Sequence, residues 1–314
     1  MSSIRAIVVD PEVTGRFAIK EVEAPQADSS EALVQVAAIS LNRAEALRAM
    51  IAEAGWRPGW DLSGTVIKQA ANGTGPKVGS RVVAMVDAGS WAEQVVVPTN
   101  RLAEIPASVT FAQAATLPIA GLTALRALEK GGLLLNRRVL ITGSTGGVGL
   151  FAHQLARLSG AHVVGITRHA GNEALVRESG ADEVIVGDDI SLARAYGPYH
   201  LIIESVGGKT LASALSLMAA RATCVTLGWT ASSEVTMDVR HLIGARGTTL
   251  YGMSLYDELD HRAASEDLGW LAQMVAKQQL QTHIEVEASW HDMGDVAQRL
   301  RERQFTGKAV LHLN

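Results

Sequence analysis

The stretch 138–149, Arg-Val-Leu-Ile-Thr-Gly-Ser-Thr-Gly-Gly-Val-Gly, constrains this chain more than any other. A short apolar run breaks into a glycine-rich turn, and apolar residues then recur at helical spacing between Leu150 and Leu158. Strand, tight turn and helix N-terminus in that order aim the turn's N–H groups and the positive end of the helix dipole at one point. An anion such as a pyrophosphate is held there. The glycines read Ser144-x-Gly146-x-x-Gly149, so a serine stands where a dinucleotide fingerprint usually has its first glycine. Ser144, Thr145, Gly146, Gly147 and Val148 are therefore candidate cofactor-binding residues.

The pattern around this turn sets the fold class. From about residue 118 onward, apolar runs at 138–143, 162–168, 183–187, 200–206, 222–228 and 248–253 alternate with helix-like segments at 148–159, 172–179, 209–219 and 239–245. Such alternation predicts a doubly wound parallel sheet. The first 115 or so residues differ. Val- and Ile-rich runs at 6–10, 17–23, 32–42, 62–70, 81–87 and 91–98 are separated by turn signals such as Asn72-Gly73 and Gly75-Pro76, and 43–54 reads as one short helix. After a longer helical stretch at 268–277 come a strand (283–288), a helix (293–303) and a strand (309–313), expected to pack back on the first domain.

Composition narrows the function class. A chain of 314 residues fits two domains, and a net charge of −4 gives no bulk attraction to nucleic acid or to an anionic membrane. The single cysteine, Cys224, lies in an apolar run and reads as a core residue. With no partner for a disulfide, no signal-like apolar segment and no unbroken apolar run long enough to span a bilayer, the expectation is a cytoplasmic protein with no membrane or nucleic-acid partner.

At the end of the second parallel strand, where NAD enzymes place an acidic residue on the ribose, the chain reads Gly165-Ile166-Thr167-Arg168-His169. A carboxylate would repel a 2′-phosphate, whereas a guanidinium grips it with two donors. Thr167 and Arg168 thus point to NADP(H). No His, Cys or Tyr precedes His153, so the first domain lacks the Cys/His donors of a zinc site and any Tyr or His general acid. Asn42, Arg43, Glu45, Asp61, Ser63 and Lys68 remain for polar work there. Trp56, Trp60 and Trp91 could wall a pocket, and Trp229 follows Gly228 at a strand end where ligands bind in open α/β sheets. Trp91 and Trp229 are the candidate substrate walls. Such a pocket suits hydride delivery to an electron-poor acceptor, with water supplying the proton.

Several motifs carry a resemblance. They are Leu41-Asn42-Arg43-Ala44-Glu45, Pro58-Gly59-Trp60-Asp61-Leu62-Ser63-Gly64, Lys77-Val78-Gly79-Ser80-Arg81-Val82 and Gly89-Ser90-Trp91-Ala92-Glu93. Leu117-Pro118-Ile119-Ala120-Gly121-Leu122-Thr123-Ala124, the Ser144–Gly149 turn, Ser205-Val206-Gly207-Gly208 and Thr306-Gly307-Lys308-Ala309-Val310-Leu311 follow in order. Along its whole length the chain resembles the medium-chain dehydrogenase/reductase superfamily, and within it the zinc-independent quinone oxidoreductase branch. The resemblance implies a GroES-like catalytic domain (1–117 and 280–314) and a Rossmann NADP-binding domain (118–279), with the active site in the cleft. It also implies a homodimer formed through the Rossmann sheet edge near 248–253. By position it implies that Asn42 and Thr123 approach the nicotinamide, and that Val206, Gly228 and the backbone of Tyr251, Gly252 and Met253 form the wall behind it. Lys308 matches a residue near the cofactor or cleft. Asn42, Glu45 and Thr123 are the candidate catalytic residues. Glu45 replaces the family's usual Asp, 46–49 lacks its Tyr, and Asn172 replaces a lysine near the 2′-phosphate, which places more weight on Arg168.

The expected activity is NADPH-dependent reduction of quinones or α,β-unsaturated carbonyls, small molecules taking hydride directly without zinc. Two alternatives share the fold: an enoyl reductase acting on thioesters or polyketides, and a catalytically vestigial NADP(H)-binding sensor or interaction protein.

Overall fold

A computed structural model describes residues 2–313, which divide into two units. The first runs through Leu122 and resumes at Arg262; the second extends from Thr123 to His261.

The first unit opens with an antiparallel hairpin of β1 (Ser3–Val9) and β2 (Phe17–Glu23), with Val9 opposite Phe17. It continues through β3 (Glu31–Leu41), α1 (Arg43–Ala49), β4 (Asp61–Lys68), β5 (Arg81–Met85), β6 (Gln94–Pro98), β7 (Leu102–Glu104) and α2 (Phe111–Ala115). Next comes a widened π turn at Leu117–Gly121. In the second unit, α3 (Leu122–Glu129) leads to β8 (Arg138–Ile141), α4 (Gly147–Leu158), β9 (His162–Thr167), α5 (Glu173–Glu178), β10 (Glu183–Val186), β11 (Tyr199–Glu204), α6 (Gly208–Leu215), β12 (Met218–Thr226), α7 (Arg240–Gly244), β13 (Thr249–Gly252) and α8 (Leu255–His261). The first unit then resumes with α9 (Ala264–Ala276), β14 (Ile284–Ser289), α10 (Met293–Arg301) and β15 (Lys308–His312).

In the first unit, β15 lies between β14 and β3 in a seven-stranded sheet that continues through β4 and β5 to β7, with β6 also on β3. Leu311 faces Ile39 across the antiparallel β15–β3 pair. The residues of β3 alternate between buried and more exposed up to Val36 and are then buried from Ala38 to Leu41. The far end of this strand therefore lies inside the unit, where its polar neighbours need partners.

The second unit is a six-stranded, wholly parallel sheet in the order β10-β9-β8-β11-β12-β13. Its central strands read as continuous Val/Ile/Leu runs because helices cover both faces. Leu140, Val164, Ile202, Leu215 and Cys224 share its core. The fold is a GroES-like domain plus a Rossmann-like parallel sheet. Cys224 is free and buried, and burial pushes its thiol well above the ordinary range.

Two expectations about organisation need correction. The helix α9 falls within the span 118–279 expected for the Rossmann domain but groups with the first unit, where it packs on β7 and β5. The helix expected over 43–54 stops at Ala49. The elements β7, α2, α3 and α8 had no clear sequence signal.

Candidate functional site

In the second unit, the turn after β8 has the geometry of an anion cradle. Gly143 sits at φ +61°, and a Cβ there would come within 2.3 Å of the Ser205 hydroxyl. A Cβ on Gly149 would lie 2.5 Å from the Gly143 carbonyl oxygen, so α4 can approach the turn only with glycine at this position. Gly146 is different. It caps α4 with extended backbone, and a Cβ would meet nothing closer than the Gly143 oxygen at 3.4 Å. The protein's own packing does not require glycine at 146, so the space beside it is open ground at a helix N-terminus.

Ser144 replaces the first fingerprint glycine for a reason internal to the sheet. Its buried hydroxyl donates to the Ile141 carbonyl (2.9 Å) and accepts from the Ile166 N–H (2.8 Å), tying β8 to β9. The Ser144 side chain is thus spent inside the protein. Thr167 is buried at the end of β9, and Arg168, one residue on, is exposed.

The loop after β11 is shaped by a buried carboxylate. Glu204 accepts from the N–H groups of Val206 (2.8 Å) and Gly207 (3.0 Å) and from the Thr142 hydroxyl (3.1 Å). Burial outweighs these bonds and holds its carboxyl above the usual range. Gly228 lies so close to this loop that a Cβ would be 2.9 Å from the Ser205 oxygen. Trp229, which follows it, is 71% exposed. Met253 donates its N–H to the Thr226 oxygen (2.9 Å), fixing the backbone just beyond β13 beside the end of β12. The Tyr251 hydroxyl donates to Glu258 (2.5 Å), which also receives Lys130 (2.7 Å), and the Lys130 ammonium lies 4.7 Å from the centre of the Tyr251 ring. Burial raises the Glu258 carboxyl, but Lys130 and Tyr251 more than offset this and hold it below its ordinary value. Lys130 and Glu258 carry no local sequence signal, because they meet across 128 positions.

In the first unit, a buried polar cluster joins four segments. Lys308 Nζ donates to the Leu41 carbonyl (3.0 Å), to Asn42 Oδ1 (2.7 Å) and to Asp61 Oδ2 (3.4 Å). These three acceptors account for the ammonium's three donors. Asn42 Nδ2 donates to Asp61 (2.8 Å) and Glu45 (3.0 Å), and the Asn42 N–H also donates to Glu45 (2.8 Å). The other Asp61 oxygen accepts the Ile119 N–H (2.9 Å), anchoring the π turn that runs directly into Thr123. Glu45, Asp61 and Lys308 are all buried.

The cluster holds one cation and two carboxyl groups. Asp61 contacts the ammonium directly, whereas Glu45 Oε1 is buried without a hydrogen-bond partner. Burial and the neighbouring Asp61 push the Glu45 carboxyl up to about 8. Burial also raises Asp61, opposed by Lys308, Asn42 and the Ile119 N–H. Near neutral pH the proton therefore resides on Glu45, and Asp61 pairs with Lys308.

Four sequence candidates, Asn42, Glu45, Asp61 and Lys308, meet in this cluster. Trp91 does not join a pocket. It is 1% exposed and packs edge-on against Phe17 at 5.7 Å between ring centres. Its carbonyl accepts the Ile7 N–H (2.8 Å), so the first hairpin covers it and its role is core packing. Thr123 is buried near the start of α3. Among the described residues, no three His, Cys, Asp or Glu side chains gather as a metal-binding group, and no helix is long and apolar enough to cross a membrane.

Two domain families and several known proteins are similar to this chain. Residues 28–107 match the alcohol dehydrogenase GroES-like domain, and residues 147–273 match the zinc-binding dehydrogenase domain. A mitochondrial NAD(P)H oxidoreductase of Bos taurus, RTN4IP1, is 38% identical over 171 residues, 51% of this chain and 43% of that protein. A chloroplastic quinone-oxidoreductase of Triphysaria versicolor is 35% identical over 200 residues, 58% of this chain and 60% of that one. The matches thus span less than two thirds of these relatives' lengths. A mycobacterial protein solved in complex with NADPH shares the fold, with a TM-score of 0.86, 24% identity, and coverage of 99% of this chain and 100% of that one. With both domain matches in order along the chain, it is similar to the medium-chain dehydrogenase/reductase family.

Proposed function

We propose that this protein is an NADPH-dependent reductase of quinones or α,β-unsaturated carbonyls, delivering hydride directly and without zinc. The observation that carries the reading is the carboxyl edge of the parallel sheet. There Gly146 leaves open ground at the N-terminus of α4, and Arg168 stands exposed just beyond β9. The residues fit the cofactor. The backbone amides of Thr145, Gly146, Gly147 and Val148 take the pyrophosphate. Arg168, beside Thr167, takes the 2′-phosphate. Val206, Gly228 and the Tyr251–Met253 backbone flank the nicotinamide, held in place by the Glu204 carboxylate and the Lys130–Glu258–Tyr251 contacts. When bound, NADPH supplies the hydride.

Asn42, Glu45 and Lys308 act here as positioning residues. Both ends of the Asn42 amide are engaged within the cluster, and the Asp61–Ile119 bond carries its order into the turn before Thr123. Trp229 offers an exposed aromatic face to a flat, apolar substrate. The donor set does not suit a Cys/His zinc site, since no His or Cys precedes His153 and the single cysteine lies in the second unit's core. A quinone or enone needs little further polarisation, and water supplies the proton. Relatives described as NAD(P)H and quinone oxidoreductases support the same reading. The test is NADPH consumption with a panel of quinones and enones, with NADH in parallel. Turnover with NADPH on at least one acceptor class is expected. Tight NADPH binding with no turnover on any of them would overturn the assignment.

A further inference from the structure

The amino edge of the parallel sheet, opposite the edge bearing the glycine turn, contains a cavity of about 540 Å³. It is lined by Asn136, Arg138, His162, Ala195, Tyr196 and His200. Arg138, His162 and His200 stand at or next to the first residues of three adjacent strands, β8, β9 and β11, so the parallel topology itself brings them together.

The hydrogen bonding fixes what these groups can offer. His200 Nδ1 accepts the Arg138 N–H at 3.2 Å, so Nε2 carries the ring's proton and is a donor. The Arg138 guanidinium donates through one nitrogen to the Gly197 carbonyl, which orients it and leaves further N–H groups available. His162 is held by Asp182 at 3.4 Å. That carboxylate is already shared with Arg157 and the Val163 N–H, so it is a poor counter-ion for the rest of the cavity. Arg137 adjoins Arg138 in sequence and is exposed. The Tyr196 hydroxyl and the Asn136 amide complete a donor-rich lining. In a chain of net charge −4, the Arg138 guanidinium, with Arg137 beside it in sequence, gives this donor-lined concavity a permanent cationic charge.

We propose that this cavity is a second ligand site that binds a phosphate-type oxyanion, either free or as a phosphomonoester. A tetrahedral dianion has acceptors enough to engage the Arg138 fork, His200 Nε2 and the Asn136 amide together, and the cavity volume leaves room for a small organic group beside Tyr196. The site is separate from the proposed nucleotide edge, which lies at the opposite ends of the same strands.

The test is a titration of the full-length protein, histidine side chains labelled, followed by NMR. Inorganic phosphate and glycerol 3-phosphate are the probes, with chloride at matched ionic strength as the control. Saturable shifts of His162 and His200, out of nine histidines in all, are expected with either probe. Arg138→Gln is expected to raise the dissociation constant about tenfold, and the exposed Arg137→Gln by a smaller factor. Tighter binding of glycerol 3-phosphate would identify a phosphomonoester as the ligand, and equal binding a free anion. The proposal is overturned if the two histidines respond no more to phosphate than to chloride. It is equally overturned if both arginine variants, folded by the same spectra, bind phosphate as the parent does.

Discussion

Lys308 donates to the side-chain oxygen of Asn42 at 2.7 Å, across 266 positions of sequence. This bond ties β15 to the inner end of β3. With Asp61 and Ile119 it makes one buried junction of four segments that are distant in sequence.

Replacing Lys308 with methionine removes the only cation in the cluster and leaves the Asp61 carboxylate buried without its counter-charge. A loss of about 3–5 kcal/mol is expected, as for other broken buried pairs. Urea denaturation of the variant and the parent measures it. A difference below about 1 kcal/mol would mean that the junction does not hold the unit together.

Glu45 gives stability a distinctive pH dependence. Its carboxyl is raised to about 8 in the folded protein, against an ordinary value of 4.5. The folded state therefore holds this proton more tightly than the unfolded chain does. The stabilisation is complete below about pH 4.5 and is lost as pH rises through about 8, at no more than about 1.4 kcal/mol per pH unit for one proton. Glu45→Gln mimics the protonated form and should remove this part of the slope. Parent and variant should therefore differ in how their melting temperatures change across that range, with the parent falling more steeply.

Arg168→Ala should weaken NADPH binding while leaving NADH binding nearly unchanged. The expected loss is about 1–3 kcal/mol, roughly 5- to 150-fold in the ratio of the two dissociation constants. Fluorescence titration with each cofactor reads this ratio directly. An unchanged ratio removes Arg168 from the 2′-phosphate assignment.

The turn glycines should separate into two kinds. Gly149→Ala forces a methyl within 2.5 Å of the Gly143 oxygen and should destabilise the second unit by about 1–3 kcal/mol. Gly146→Ala meets only the 3.4 Å contact and should melt near the parent temperature. Its methyl would occupy the open ground before α4, so NADPH should bind it much more weakly. Melting curves and NADPH titrations of the two variants give opposite patterns if the distinction holds.

Ser144→Ala deletes a hydroxyl that both donates to Ile141 and accepts from Ile166. The Ile166 N–H is then left buried without that partner, costing about 1–3 kcal/mol. Since the hydroxyl is spent within the sheet, the NADPH-to-NADH preference should not change. Paired denaturation and cofactor titrations check both halves.

Most of the architecture was legible because it is local. The strand–turn–helix at Ser144, the Val/Ile runs of β9 and β11 and the hairpin ending at Glu23 each carry their period in a few consecutive residues. What escaped was non-local. Trp91 reads as a possible pocket wall until the first hairpin is seen to cover it, through the Ile7–Trp91 bond and the bridge between Ala6 and Ala92. The amphipathic pattern of α9 does not say which unit it covers; packing on β7 and β5 decides that. Asn42, Glu45 and Lys308 were legible as site candidates, but only the fold shows that they neutralise one another with Asp61. Asp61 did carry a local signal, as a carboxylate at the head of a strand whose next three residues are also buried.

The position of β15 between β14 and β3 bears on the order in which the protein can be made. A ribosome delivers β3 well before β15. All six strands of the parallel sheet emerge in the interval. The second unit can therefore complete its sheet during synthesis, while the inner end of β3, with Asn42 and Asp61, waits for its partner strand and its cation. Closure of the first unit's sheet thus follows delivery of β15, and an arrest between β13 and Lys308 leaves the parallel sheet complete and the other sheet open.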